Sequence, residues 1–386
     1  MQPDLRTTVR RITPALLAFS AYMVFYPAPA EACHKYVSPY TGKTGCGARR
    51  EDRKKNDSGA KTSKNKARSK TDRTTTVAND TTGQNASGGS KPGTQPPAGR
   101  KLPWPSGFAC PNLVSADEFA RWRGTPVDVL GGWSGRKTWR ELSVNLGGPL
   151  KRHFVGKAPM MVIGLALLAE ESKGDFLGCA RGKYDKHFRK VAKKLKQYTS
   201  TKKIIRLGWE PNGSWYPWSV NGNYSEYRSC FRHVVNVIRS VDQTIEISWS
   251  LAKKTFSNYK SFVYKAYPGN AYVDYIDLDF YDHHPPATTQ DAWNKYFQPQ
   301  LDFFISFAKE NGKKFGFGEW GLSNYHDEDS GGDNPLYIRN MYAFLKKNAS
   351  MIGYEVYFNC GSRNAGWRIY PSNINPIGSA EYRKLW

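Results

Sequence analysis

The sequence predicts an α/β fold, a (β/α)8 TIM barrel preceded by a disordered basic linker. Three observations carry that expectation. From about residue 101 onward, short apolar runs alternate with helix-patterned stretches, the order of a parallel sheet with crossover helices. That stretch has the length and the strand count of a closed barrel. No Gly-rich phosphate loop opens a helix, which argues against the alternative, a doubly wound sheet.

The elements follow in order. Val127-Asp128-Val129-Leu130-Gly131-Gly132-Trp133 reads as a strand and 137–142 as a helix. Met160 to Leu168 is a strongly apolar strand. In the basic stretch after it, Phe188, Val191, Ala192 and Leu195 recur at helical spacing between lysines and arginines, the pattern of an amphipathic helix. A strand over 204–207, a helix over 224–241 and a strand over 245–249 come next. A strand over 275–281, a helix over 293–311 and a strand over 314–317 follow. A helix over 336–347 and a strand over 353–358 complete the reading.

The first 100 residues differ in character. Arg6, Arg10 and Arg11 precede an apolar stretch too short to span a bilayer comfortably, and Ala30-Glu31-Ala32 fits a small-x-small cleavage site. Residues 1–32 are therefore expected to be a secretory signal peptide, with Arg10-Arg11 hinting at twin-arginine export. Residues 33–46 are expected to form a short Cys-containing segment, 47–100 a disordered basic linker, and 101–386 the barrel. Export to a secreted, periplasmic or cell-surface location permits disulfides. The six cysteines allow 15 pairings, of which Cys33–Cys46 is the easiest local one. No Cys/His spacing resembles a zinc site, and no cofactor or metal is expected.

The net charge is +24. Residues 49–73 alone carry eleven Lys or Arg against four acids. The linker is read as a solvated spacer or as a tether to an acidic glycan or cell surface. No nucleic-acid motif accompanies the charge, no stable membrane span is expected after signal cleavage, and a monomer is expected. The charge favours an acidic partner or surface.

Two carboxylates stand out. Glu210 follows Ile204-Ile205-Arg206-Leu207-Gly208-Trp209, and Glu319 follows Phe315-Gly316-Phe317-Gly318. A carboxylate at the end of a buried strand is costly unless something uses it. In a barrel the catalytic groups gather at the C-terminal strand ends. Two carboxylates ringed by tryptophans suit glycosidic cleavage, with one proton donor and one nucleophile. Trp209, Trp215 and Trp218 would dry the donor's surroundings. Tyr281 and Arg206 would supply the hydrogen bonds that an ionised nucleophile needs. Trp133 and Trp320 join the expected substrate-binding set, Trp320 as the wall beneath the scissile sugar. Phe358-Asn359 lines the site at the last strand end. His283 and His284, adjacent in the chain, are read as non-metal residues, and Asp128, Asp279 and Asp333 as structural or capping.

The run Trp209-Glu210-Pro211-Asn212-Gly213-Ser214-Trp215 resembles the acid/base motif of glycoside hydrolase family 26, the endo-β-mannanase-type enzymes of the retaining (β/α)8 clan. Gly182-Lys183-Tyr184-Asp185, Val273-Asp274-Tyr275-Ile276-Asp277, Gly318-Glu319-Trp320-Gly321 and Gly332-Asp333-Asn334-Pro335 look like its exported bacterial branch. Together these motifs cover roughly 120–360. The resemblance implies Glu210 as acid/base and Glu319 as nucleophile. It also implies Asn212 positioning the acid/base loop or a sugar hydroxyl, Trp215 and Trp218 as sugar platforms, and Tyr281 holding Glu319. Mannanases of the family commonly carry His directly before the acid/base, where Trp209 stands here. The substrate therefore stays open among β-mannan, β-xylan, β-glucan and an acidic exopolysaccharide. The competing reading is a non-catalytic glycan- or surface-binding protein on the same scaffold.

Overall fold

The computed structural model describes residues 36–37, 44–45, 101–144, 148–253, 258–325 and 329–386. The expected signal peptide, the whole of the basic linker and the Cys33–Cys46 pair lie outside the described residues. Tyr36–Val37 and Thr44–Gly45 form a short antiparallel pair.

Residues from 101 onward close an eight-stranded parallel barrel. Its strands are β1 (Ser106–Ala109), β2 (Val129–Trp133), β3 (Met160–Leu165), β4 (Lys202–Leu207), β5 (Glu246–Ala252), β6 (Tyr275–Tyr281), β7 (Lys314–Gly321) and β8 (Ile352–Tyr357). Strands pair in chain order and β8 closes onto β1. Ser106–Ala109 is the strand that the sequence reading did not name. The stretch Met160 to Leu168 ends as strand at Leu165, and Ala166 to Ala169 continue as a buried loop. The 293–311 helix begins with a π-helical turn, Trp293–Phe297, before α-helix Gln298–Glu310. A final helix, Pro376–Leu385, was also unread.

The apolar periodicity explains the helices. Helix Asp185–Lys196 buries Phe188, Val191, Ala192 and Leu195 and leaves its cations outside. Helix Pro335–Lys347 starts with Pro335 in its first turn, while Asn334 Oδ1 accepts from the Leu336 and Tyr337 amides. Asp333 likewise accepts from Ile377 and Gly378 at the start of the final helix, the capping role expected for it. The larger core lies between strands and helices; a smaller one, with Val129, Val162, Ile204, Tyr275, Tyr354 and Val356, fills the barrel interior.

Strand β7 carries one extra residue against both neighbours. Asp277 faces Gly316 and Asp279 faces Glu319; on the other side Glu355 faces Phe317 and Tyr357 faces Trp320. Phe315 and Phe317 join the outer core. By strict alternation Glu319 would follow them away from the barrel axis; the bulge turns it inward and sends Trp320 outward instead.

Two disulfides fix the ends of elements. Cys110–Cys360 joins the residue after β1 to the loop after β8, across the seam where the barrel closes. Cys179–Cys230 ties helix Phe176–Ala180 to helix Tyr224–Arg239.

Candidate active site

Glu319 is held by three donors from three strands. Arg206 Nη1 on β4 donates to Oε1 at 2.9 Å, and Trp133 Nε1 at the end of β2 donates to the same oxygen at 3.0 Å. The Tyr281 hydroxyl at the end of β6 donates to Oε2 at 2.9 Å. Every contact uses Glu319 as an acceptor, which matches an ionised carboxylate and fixes its rotamer.

Arg206 is the hub beneath it. Its Nε donates to Asp277 at 3.0 Å, and its Nη2 to Ser250 Oγ at 2.8 Å and to Asp279. Burial alone would favour the neutral guanidine. Asp279, Asp277 and Glu319 outweigh burial and keep the guanidinium charged well above its ordinary range. Burial pushes the Asp279 carboxyl well above the usual carboxylate range, against the pull of Arg206, and the charges of Glu319 and Glu210 add to the push. Gly318 is required here, because a Cβ would run into the Arg206 guanidinium. The sequence reading placed Arg206 among substrate-binding residues, but it is 1% exposed. Its fork is spent on three carboxylates, so it serves Glu319 as the sequence suggested and has no exposed donor left for a sugar.

Glu210 sits in the loop after β4, in a left-handed conformation with φ 53°. A non-glycine residue there costs on the order of 1–3 kcal/mol and persists only where the surroundings impose it. They do. The Glu210 amide donates to the Ser250 carbonyl at 2.9 Å. Asn212 exchanges two hydrogen bonds with Ala252, Nδ2 to the carbonyl at 2.7 Å and the amide to Oδ1 at 2.9 Å, pinning the loop to the end of β5. Trp215 Nε1 donates to Glu210 Oε2 at 2.8 Å.

Glu210 lines a cleft of about 330 Å³ with Trp215, Lys253, Asp279, Tyr281 and His283. Both glutamates act on one set of neighbours. Burial raises the Tyr281 hydroxyl well above its usual range, and Glu319, Asp279 and Glu210 raise it further. The Tyr216 hydroxyl is raised first by burial, then by Glu210 and Glu319. Two carboxylates that share neighbours, one held rigidly by three donors and one at the cleft beside an exposed indole, can divide nucleophile and proton-donor roles.

The tryptophans divide sharply. Trp215 is 51% exposed at the cleft, and its ring is open to a ligand. Trp133 is half-buried with its N–H on Glu319. Trp209 and Trp218 are buried; Trp218 Nε1 donates to the Trp209 carbonyl at 2.7 Å, and Trp209 Nε1 to the Tyr216 hydroxyl at 2.8 Å. Their expected sugar contacts are corrected: with no open face, they form the packed wedge under the Glu210 loop. Trp320 is corrected for the same reason. It points away from the barrel axis and gives its N–H to buried Glu355, which Trp386 also holds.

The sequence reading missed Lys253 and Tyr216. Lys253 follows β5, lines the cleft and donates to the carbonyls of Tyr281 at 3.4 Å, His283, and Pro285 at 3.2 Å, with its ammonium over the Phe297 ring. Burial lowers its pKa to about 7, partly offset by Asp282. Its one signal in the sequence was a position at a strand end. Among the described residues no group of three or more His, Cys, Asp or Glu could hold a metal ion, and no helix is long and apolar enough to cross a membrane.

Residues 179–313 match the family described as Glycosyl hydrolase family 26. The chain is 26% identical over 212 residues to Endoglucanase H of Acetivibrio thermocellus, covering 53% of this chain and 22% of that protein. It is 25% identical over 186 residues to Mannan endo-1,4-beta-mannosidase of Bifidobacterium adolescentis, covering 47% of this chain and 19% of that protein. The chain thus spans about a fifth of the length of these curated relatives. Among solved structures it is similar to GH26C from a Muricauda species, with TM-score 0.56 at 15% identity, covering 73% of this chain and 84% of that one. It is also similar to the catalytic domain of a Bacillus GH26 endo-beta-1,4-mannanase, with TM-score 0.53 at 16% identity, covering 73% and 85%. At these identities the two structures speak to the fold.

Proposed function

We propose, on the premise that the chain is a family 26-like protein, that it is a secreted retaining endo-glycosidase acting on β-linked polysaccharide. The observation that carries the reading is the contrast between the two glutamates. Glu319 is immobilised by Arg206, Trp133 and Tyr281, and Glu210 borders the cleft that Tyr281 also lines, on a strained loop beside exposed Trp215.

In this reading a β-linked sugar lies against Trp215, which gives its C–H face an indole to stack on. Glu319 attacks the anomeric carbon and forms a glycosyl ester as the glycosidic C–O bond breaks. Glu210 gives its proton to the departing oxygen. In the second step Glu210 takes a proton from water, whose oxygen attacks the anomeric carbon and expels Glu319 as carboxylate. The anomeric configuration is retained after two inversions. Arg206 and Tyr281 stabilise the charge that returns to Glu319.

The relatives divide between a mannosidase and an endoglucanase by name, which supports mannan and β-glucan as substrate classes; β-xylan comes from the family resemblance and an acidic exopolysaccharide from the net charge of +24. Disulfides Cys110–Cys360 and Cys179–Cys230 support an oxidising, extracellular setting. The test is reducing-end release from a polysaccharide panel by wild type, Glu210→Gln and Glu319→Gln, with NMR of the first-formed anomer. Losses of about a thousandfold or more in both variants, and retention in the wild type, are expected. Binding of glycan without release by the wild type would instead leave a non-catalytic glycan-binding protein, and inversion would reject double displacement.

A further inference from the structure

We infer that one flank of the barrel carries a docking track for a linear acidic polysaccharide, apart from the cleft that Glu210 lines. Helix Asp185–Lys196 exposes Lys186, Arg189, Lys190, Lys193 and Lys196 along its outer side. From Lys186 to Lys196 the row runs about 15 Å, with neighbours three or four residues apart about 5–6 Å from each other. The helix follows β3 and leads into β4, so it runs from the catalytic end of the barrel to the opposite end.

Four of these five cations are not relieved by acids. On this helix Arg189 pairs with Asp185 at 2.9 Å, and the same carboxylate meets His233 at 2.7 Å. Among the described residues no salt bridge involves Lys186, Lys190, Lys193 or Lys196. Lys186/Lys190 and Arg189/Lys193 are like-charge pairs at i,i+4, which destabilise a helix. The crowding reaches their neighbours: the His187 pKa is lowered by burial and then by Lys186, and that of Lys194 by burial and then by Lys190. The protein keeps this repulsion unrelieved, as a surface does when its counter-charge comes from a partner.

The row does not end on bare surface. Lys196 opens a groove of about 650 Å³ at the far end of the barrel, lined also by Thr199, Ser200, Thr201 and Lys202. The Thr201 hydroxyl is buried there with no hydrogen-bond partner among the described residues. Lys202 is shared with Glu246 at 3.0 Å, and Lys203 with Asp242 at 3.1 Å, so the groove's remaining positive charge is that of Lys196. Cations in a row, followed by hydroxyls, fit a chain that carries one carboxylate per sugar and many hydroxyls. Single-stranded nucleic acid calls for aromatic faces on which bases stack. The helix's one phenylalanine, Phe188, is buried, and the groove lining contains no aromatic residue.

The experiment is binding of the full chain to polygalacturonate, to neutral β-mannan and to poly-dT. Wild type is compared with K186E/K190E/K193E and with K309E/K346E/K347E, an exposed control of equal charge change. At low salt the helix variant is expected to bind polygalacturonate at least about tenfold more weakly and the control within about twofold, the difference shrinking as salt rises. K186Q/K190Q/K193Q, which removes the charge without reversing it, guards against a folding defect and is expected to lose at least about fivefold. Equal losses in helix variant and control overturn the track. Poly-dT bound as tightly as polygalacturonate, with the same dependence on the helix, replaces the polysaccharide with nucleic acid.

Discussion

The Tyr281 hydroxyl donates to Glu319 Oε2 at 2.9 Å from the end of the neighbouring strand, while Arg206 and Trp133 converge on Oε1. Each carboxylate oxygen therefore has its own fixed donors, and Tyr281 alone among these three serves Oε2.

That division makes Tyr281→Phe a clean substitution, since it removes one oxygen and keeps the ring against Phe358. A hydrogen bond to a charged group contributes about 1.5–3 kcal/mol. A fall in kcat of about ten- to a hundredfold is expected, with KM and the thermal midpoint little changed. An unchanged kcat would remove Tyr281 from the catalytic account.

Much of this arrangement was legible from the chain alone, and the rest was hidden for definite reasons. Seven of the eight barrel strands announced themselves through apolar runs, but Ser106–Ala109 is four residues, three of them small, with no alternation. Glu319 could be suspected from its neighbours, yet its inward aim depends on the bulge in β7, which a period-two reading does not contain. The motif around Glu210 marked four tryptophan and asparagine positions equally. Only packing separates Trp215, at the cleft, from Trp209 and Trp218, which lie beneath the loop. Lys253 carried no signal beyond its place after a strand, because its burial is made by Phe297 and a loop some 30 residues away.

Asn212 acts on Glu210 through the backbone. Its amide completes both hydrogen bonds of Ala252, and Asn212→Ala leaves that amide and carbonyl without them. At about 0.5–1.5 kcal/mol per bond, a stability loss of about 1–3 kcal/mol is expected in denaturant unfolding. Because the loop also holds the left-handed Glu210, kcat should fall more than KM rises. Asn212→Asp, which keeps the acceptor for the Ala252 amide, should recover part of the stability.

Arg206→Met tests the hub. The substitution keeps much of the aliphatic volume but leaves Asp277, Asp279 and Glu319 facing one another with no cation. Breaking a buried pair by removing one partner costs about 3–5 kcal/mol, and here three carboxylates lose the same partner. The variant is expected to melt far below wild type and to lose hydrolysis. Its deficit should shrink in mildly acidic buffer, where protonation relieves the repulsion. A midpoint within a few degrees of wild type at neutral pH would show that the carboxylates do not need Arg206.

Lys253 supplies a pH signature of its own. Burial lowers its folded pKa to about 7 from an ordinary 10.5. Below pH 7 both folded and unfolded chains hold the proton, and the penalty for burying the charge is present in full. Between about 7 and 10.5 the unfolded chain holds more protons than the folded one, so this group's contribution to stability rises with pH across that window. Lys253→Met removes the titration along with the hydrogen bonds to Tyr281, His283 and Pro285. Thermal midpoints of both proteins from pH 6.5 to 9.5 should therefore diverge, wild type gaining relative to the variant as pH rises. Parallel curves would mean that the ammonium keeps an ordinary pKa beside the cleft, with Asp282 and the three carbonyls fully offsetting its burial.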